Sequence, residues 1–202
     1  MTIAAKPWPP EVELRGGGAH LVPLRPNHAE ALAEAARDGE LWRLWYTHVP
    51  APEAMDDDIA KRLTWRQEGS WLPFAVLDAA TGVAVGMTSY LHIDADNCRV
   101  EIGATWYRRS VQRTALNTQC KRLLLAHAFE TLNCIAVELR THRLNTQSRR
   151  AIERLGAQLD GILRCHGRDG AGNLRDTCVY SITAAEWPTI RAHLDWQLEK
   201  AR

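Results

Sequence analysis

Residues 100–121 read VEIGATWYRRSVQRTALNTQCK. A strand over Cys98–Tyr107 runs into a polar loop, and the loop runs into a helix read as Thr118–Thr131. Leu116, Cys120, Leu124 and Ala128 recur every four residues and mark that helix's apolar face. A strand that ends at a helix start gathers unpaired amide N–H groups and the positive end of the helix dipole, a place suited to phosphate. Arg108, Arg109, Arg113, Lys121 and Arg122 surround it, with no acidic residue between Arg108 and Arg122. The plainer alternative is a solvated basic face at a helix start.

Upstream, Leu72–Leu77 and Val83–Ile93 read as strands joined by Asp78-Ala79-Ala80-Thr81-Gly82. Asp94-Ala95-Asp96-Asn97 turns the chain into Cys98–Tyr107, so the three strands form an antiparallel meander. Earlier still come short strands at Val12–Leu14 and Leu21–Leu24, a helix opened by Pro26-Asn27, and one favoured by Asp56-Asp57-Asp58 at its start. Downstream, Asn133–Thr141 is a strand, Asn145–Leu155 a helix closed by Gly156, and 157–168 with 174–182 a hairpin. Ala184–Glu199 closes the chain as a helix. Strand, helix, strand and helix over 98–155 require a parallel pair with a right-handed crossover. The class is α/β (α+β), one mixed sheet with flanking helices.

The 202 residues favour one domain, and 46% hydrophobic with 24% charged residues is globular composition. A formal net charge of +1 argues against a surface field for nucleic acid, so no nucleic-acid partner is expected. Five cysteines, odd in number and without a CxxC pair, point to a reducing cytoplasm rather than a disulfide scaffold. Adjacent Cys165 and His166 are too few ligands for a metal, and none is expected. No apolar run approaches a membrane span and the start has no signal-like apolar stretch, so no membrane partner is expected.

The loop resembles the acyl-CoA pyrophosphate loop of the Gcn5-related N-acetyltransferases (GNAT), most of all the RimJ/RimL group. Gln112-Arg113-Thr114-Ala115-Leu116-Asn117 occupies the family's Q/R-x-x-G-x-G/A pattern. Gln112 matches; Arg113, Ala115 and Asn117 stand where small residues are usual. Val100-Glu101-Ile102-Gly103 resembles the central strand, Asn145-Thr146-Gln147-Ser148 the next helix start, and Gly161–Arg164 with Arg175–Tyr180 the closing hairpin. The resemblance covers about 19–190 and implies a mostly antiparallel sheet of six to seven strands, with a splayed parallel pair forming an acetyl-CoA cleft. Residues 1–18 are then an N-terminal arm with a short strand, 19–190 the acetyltransferase domain, and 184–202 a C-terminal helix packed on or extending from it.

The implied activity is direct transfer of an acetyl group from acetyl-CoA, a co-substrate, to a primary amine in a ternary complex. The acceptor is a protein N-terminus or a small-molecule amine. The alternative is a non-catalytic acyl-CoA-binding sensor or interaction module, motivated by the departures at Arg113, Ala115 and Asn117. The resemblance further implies a possible homodimer. Catalytic candidates are Ser148, which shares a helix face with Ile152 and Leu155 and would serve the leaving thiolate, and Glu101, a base on the central strand. Cofactor-binding candidates are the backbone of Thr105, Trp106 and Tyr107, the loop and helix start Gln112, Arg113, Thr114, Ala115, Leu116, Asn117 and Thr118, and Asn145, which also caps its helix. Trp42, Trp45 and Tyr46 fall where the family forms its acceptor wall. Cys120 and His127 read as packing residues on an apolar stripe.

Overall fold

The computed structural model describes residues 8–200, so the first part of the N-terminal arm and the last two residues lie outside the described residues. Among these residues eight strands form one sheet: β1 (Leu14–Gly16), β2 (Ala19–Pro23), β3 (Trp71–Asp78), β4 (Ala84–Asp94), β5 (Arg99–Tyr107), β6 (Ala136–His142), β7 (Gln158–Arg168) and β8 (Leu174–Thr183). Their order is β1-β2-β3-β4-β5-β6-β8-β7, and β5–β6 is the parallel pair. The count exceeds the expected six to seven. Leu14 pairs with Leu21 across the Gly17-Gly18 turn, which adds the N-terminal strand to the sheet edge.

Among the described residues five α-helices flank the sheet: α1 (Ala29–Arg37), α2 (Met55–Gln67), α3 (Leu116–Ala126), α4 (Thr146–Arg154) and α5 (Trp187–Glu199). Leu32, Ala35 and Ala36 of α1 pack with Met55 and Ile59 of α2 against Ala75, Met87 and Trp106 on one sheet face. Leu116, Cys120 and Leu124 of α3, Ile152 of α4 with Leu155 just past its end, and Ile190 and Leu194 of α5 fill the opposite core around Tyr90, Val100, Ile102 and Tyr180. The four-residue stripe on α3 is therefore the buried face that its periodicity indicated.

Local chemistry sets the ends. The three aspartates at 56–58 occupy the first turn of α2, where the dipole favours negative charge. Asn145 Oδ1 accepts from the Ser148 N–H at 3.0 Å and caps α4, which stops before Gly156 at φ +95°. Helix α3 begins at Leu116, two residues earlier than its sequence reading. It does not continue as α-helix to Thr131, because His127–Thr131 winds into a π turn. His127 is buried there, its Nδ1 3.2 Å from the Tyr90 hydroxyl, which donates to Leu124 O at 2.6 Å.

Candidate active site

The parallel ladder between β5 and β6 is short. It pairs Arg99 with Ala136, Val100 with Val137 and Glu101 with Glu138, then ends. Beyond that point β6 continues against β8 as far as His142, while β5 continues against β4 as far as Tyr107. The two central strands therefore diverge, and the β5 edge over residues 102–107 has no strand beside it.

A bulge shapes that edge. Ser89 pairs with Gly103 and Met87 with Trp106, so Ala104 and Thr105 together face Thr88. Ala104 takes φ +48°, a left-handed conformation uncommon for a residue with a Cβ. The Thr105 side chain is used internally: its Oγ1 lies 2.8 Å from Thr88 Oγ1 and accepts from Lys121 Nζ at 2.7 Å. Trp106 and Tyr107 are buried, and their side chains belong to the two opposite cores. What these three residues offer the opening is backbone.

At the end of β5 the loop is pinned from two sides. Gln112 Nε2 donates to Tyr107 O at 2.8 Å. Asp38, at the C-terminal end of α1, accepts from Arg108 Nε at 2.9 Å and from the Ser110 N–H at 3.0 Å. These donors hold the Asp38 carboxyl down at about 2, with the Ser110 hydrogen bonds the largest cause and Arg108 next. Thr114 Oγ1 accepts from the Leu116 N–H at 3.3 Å, and no side chain among the described residues takes the amides of Asn117 and Thr118. Those first-turn N–H groups sit at the positive end of α3. The Leu116 and Thr118 side chains are buried, Thr118 accepting from Arg154 of α4 at 3.0 Å, so these residues reach the loop through backbone alone.

The basic cluster is smaller than it reads in sequence. Arg108 is paired with Asp38, and Arg122 makes two contacts with Asp195 of α5, at 2.7 and 3.2 Å. Lys121 points inward, 5% exposed, with its amine between Thr105 and Thr88. Arg109 and Arg113 are left without an ion pair among the described residues. Arg113 also carries φ +62°, which explains structurally why a glycine suits its place in the loop. Arg113→Ala is expected to weaken acetyl-CoA binding about two- to fivefold, the scale of one exposed charge pair. Isothermal titration measures this, and unchanged affinity returns Arg113 to a solvated face.

Lys121 gives a pH-dependent prediction. Burial pushes its amine down to about 8. Between about 8 and its unfolded value the unfolded chain binds the extra proton, so this group's cost to stability fades as pH rises through that window. Buried Cys120, pushed up to about 11, and Cys134, pushed up to about 12, act in the opposite sense above pH 9. The difference between Lys121→Met and the parent isolates the lysine. The variant is expected to be about 1–3 kcal/mol more stable at pH 7, with the gap narrowing by pH 9.5. Urea melts at both pH values check this, and a gap that widens contradicts it.

Glu101 lies where the ladder ends. It is 5% exposed, its Oε2 2.7 Å from His92 Nδ1 on β4 and 3.6 Å from Arg140 Nε on β6. Arg140 is itself bonded to Glu138. The hydrogen bond to Glu101 raises the His92 pKa above its ordinary value, against a smaller opposing effect of burial. Ser148 is half-buried on the first turn of α4, with Ile152 buried on the same helix and Leu155 buried just past its end. Across the opening, Trp45 is 56% exposed and sits edge-on to His142 at the end of β6, ring centroids 5.2 Å apart, and to Tyr46 at 5.6 Å. Trp42 is half-buried and packs against the α1–α2 core. Sequence reading missed His92, Arg140 and Asp38. The sequence carried no signal for His92: the ladder pairs Glu101 with Leu91, and His92 reaches the carboxylate from within the register shift between Leu91 and Asp94.

Among the described residues no group of three or more His, Cys, Asp or Glu could hold a metal ion. None of the helices described is long and apolar enough to cross a membrane. All five cysteines are free.

The profile of the acetyltransferase (GNAT) domain matches residues 19–158. No curated protein sequence matches. Among solved structures, a GCN5-related N-acetyltransferase from Brucella melitensis is 27% identical, with a TM-score of 0.84 over 96% of this chain and 88% of that one. Mycobacterium smegmatis RimJ in complex with CoA-disulfide shares the fold at 21% identity, TM-score 0.77, over 94% and 95% of the two chains. The Salmonella typhimurium enzyme that modifies the N-terminal serine of ribosomal protein L7/L12 shares it at 16% identity, TM-score 0.75, over 85% and 99%. With the diverging strands, the loop and this match over most of its length, the chain belongs to the GNAT acetyltransferase family and is an acyltransferase.

Proposed function

We propose that the protein transfers an acetyl group from acetyl-CoA directly to a primary amine, of a protein N-terminus or of a small molecule, while both substrates are bound. The observation that carries this reading is the early end of the β5–β6 ladder at Glu101, which sets a buried carboxylate beside an unpaired strand edge. The residues present suit the coenzyme. The free amides of Asn117 and Thr118 and the unpaired charges of Arg109 and Arg113 fit its phosphates, and the β5 backbone at Thr105–Tyr107 fits the amides of the pantetheine arm. When bound, acetyl-CoA supplies the activated acyl thioester.

The chain's own side chains then divide the work. Glu101 takes a proton from the acceptor's ammonium, making the amine a nucleophile. Asn145 holds the start of α4, and through it Ser148, whose hydroxyl serves the leaving thiolate. Trp45, with Tyr46 and His142 behind it, forms the acceptor wall; an exposed aromatic held by two neighbours suits a flat contact rather than core packing. Five free cysteines, two of them with thiols raised by burial, are at home in a reducing cytoplasm.

Titration with acetyl-CoA tests the reading first. A ligand bound only by the folded state raises the melting temperature, by about 2.7 kcal/mol of stabilisation at one hundred times Kd. Thiol release is then followed over free amino acids, polyamines and peptides with free N-termini. No binding at millimolar acetyl-CoA removes this function altogether. Binding without thiol release from any amine favours a sensor.

A further inference from the structure

We propose that His92 is a positioning residue for Glu101: it anchors one carboxylate oxygen and leaves the other directed along β5 toward the bulge. The two oxygens have different surroundings. Oε2 faces His92 Nδ1 at 2.7 Å and Arg140 Nε at 3.6 Å. Oε1 lies over Gly103, only 2.7 Å from where a Cβ would stand on that glycine. Gly103 is the last residue before the bulge at Ala104 and Thr105. A free oxygen thus points two residues along the strand toward the unpaired edge, and glycine is the residue that gives it room.

The backbone of β4 is shaped for this contact. Pairing shifts register between Leu91 and Asp94, and His92 takes φ +46° inside that irregularity. A bulge re-aims a side chain that regular alternation would send elsewhere. The His92 side chain is 62% exposed while the carboxylate it holds is nearly buried, so its ring bridges solvent and the interior. An ionised carboxylate only accepts, which assigns the hydrogen to Nδ1. The charged groups facing this pair are Arg140 and Glu138 from β6 and Arg175 from β8, whose charge is coupled to Glu101.

This inference rests on Glu101 being the base, and the experiment separates the two. His92→Ala, His92→Asn and Glu101→Gln are compared by steady-state kinetics and pH profile, with the best amine of the panel as acceptor. Asparagine sets an amide N–H near the place of Nδ1 and tolerates the left-handed φ. His92→Ala is expected to lower kcat about 10- to 100-fold, the scale of a misplaced catalytic group, with the KM for acetyl-CoA unchanged. His92→Asn is expected to restore most of kcat at neutral pH, because its amide places a donor where Nδ1 stands against Glu101 Oε2. A parent-like kcat in His92→Ala, with Glu101→Gln inactive, overturns the positioning role and leaves the base assignment standing. Full activity in Glu101→Gln removes the base and the inference with it. Independently of turnover, the His92 imidazole followed by NMR should titrate lower in Glu101→Gln than in the parent; equal titration also overturns the proposal.

Discussion

Replacing Glu101 by glutamine is expected to lower kcat at pH 7 by about 10²–10⁴, the range supplied by a positioned general base. The substitution preserves size and an oxygen able to accept from His92 Nδ1, so the buried contact at 2.7 Å keeps a partner. Folding and coenzyme affinity should therefore be little changed, and the loss should fall on kcat. The defect has a predicted pH dependence. The missing base is needed only for acceptors that arrive protonated, so it should shrink as pH rises toward the amine's own pKa. An acceptor with an α-amino group, at about 7.7–8.0, should show this recovery well before a lysine-like amine at about 10.4. Thiol-release rates from pH 6.5 to 9.5 provide the measurement. A variant equal to the parent at pH 7 would give the proton to water instead.

Gly86→Ala is expected to cost stability rather than chemistry. Gly86 lies on β4 opposite Tyr107, next to the bulge. A Cβ there would run into Trp106 O and stand 2.8 Å from Tyr107 Cα. Both obstacles are backbone, so no rotamer change relieves the clash. The strand pair has to separate in the centre of the sheet, at an estimated loss of about 3–5 kcal/mol. For a chain of this size that is roughly 10 °C in Tm. Calorimetry reads it directly, and a loss below about 1 kcal/mol would mean that β4 and β5 part more easily than their packing indicates.

The elements legible in the sequence were those whose causes are local. The meander followed from two short turns, the buried stripe of α3 from four-residue spacing, and the α4 cap from Asn145 three residues before Ser148. What escaped depended on contacts between distant residues. Lys121 and Arg113 look alike in a basic stretch, yet one side chain lies 2.7 Å from Thr105 Oγ1 inside the molecule and the other stays exposed. Asp38 stands 70 residues before Arg108, and only the fold brings the end of α1 to the loop. Glu101 was readable as a buried carboxylate by alternation. Its histidine required a register that bulges disturb, and its free oxygen required knowing what Gly103 leaves empty.

An eight-stranded open sheet should have two open edges, here β1 and β7. Because the ladder between β5 and β6 stops after three pairs, this molecule has further open stretches in the middle of its sheet. An unpaired strand edge is normally a hazard, since any extended chain can add to it. Helices pack on both faces of this sheet, and under the proposed function the occupant of the edge is the slender pantetheine arm, which brings its own amides. On that reading the gap turns the ordinary stickiness of a strand edge into a seat for a ligand about as thin as a peptide.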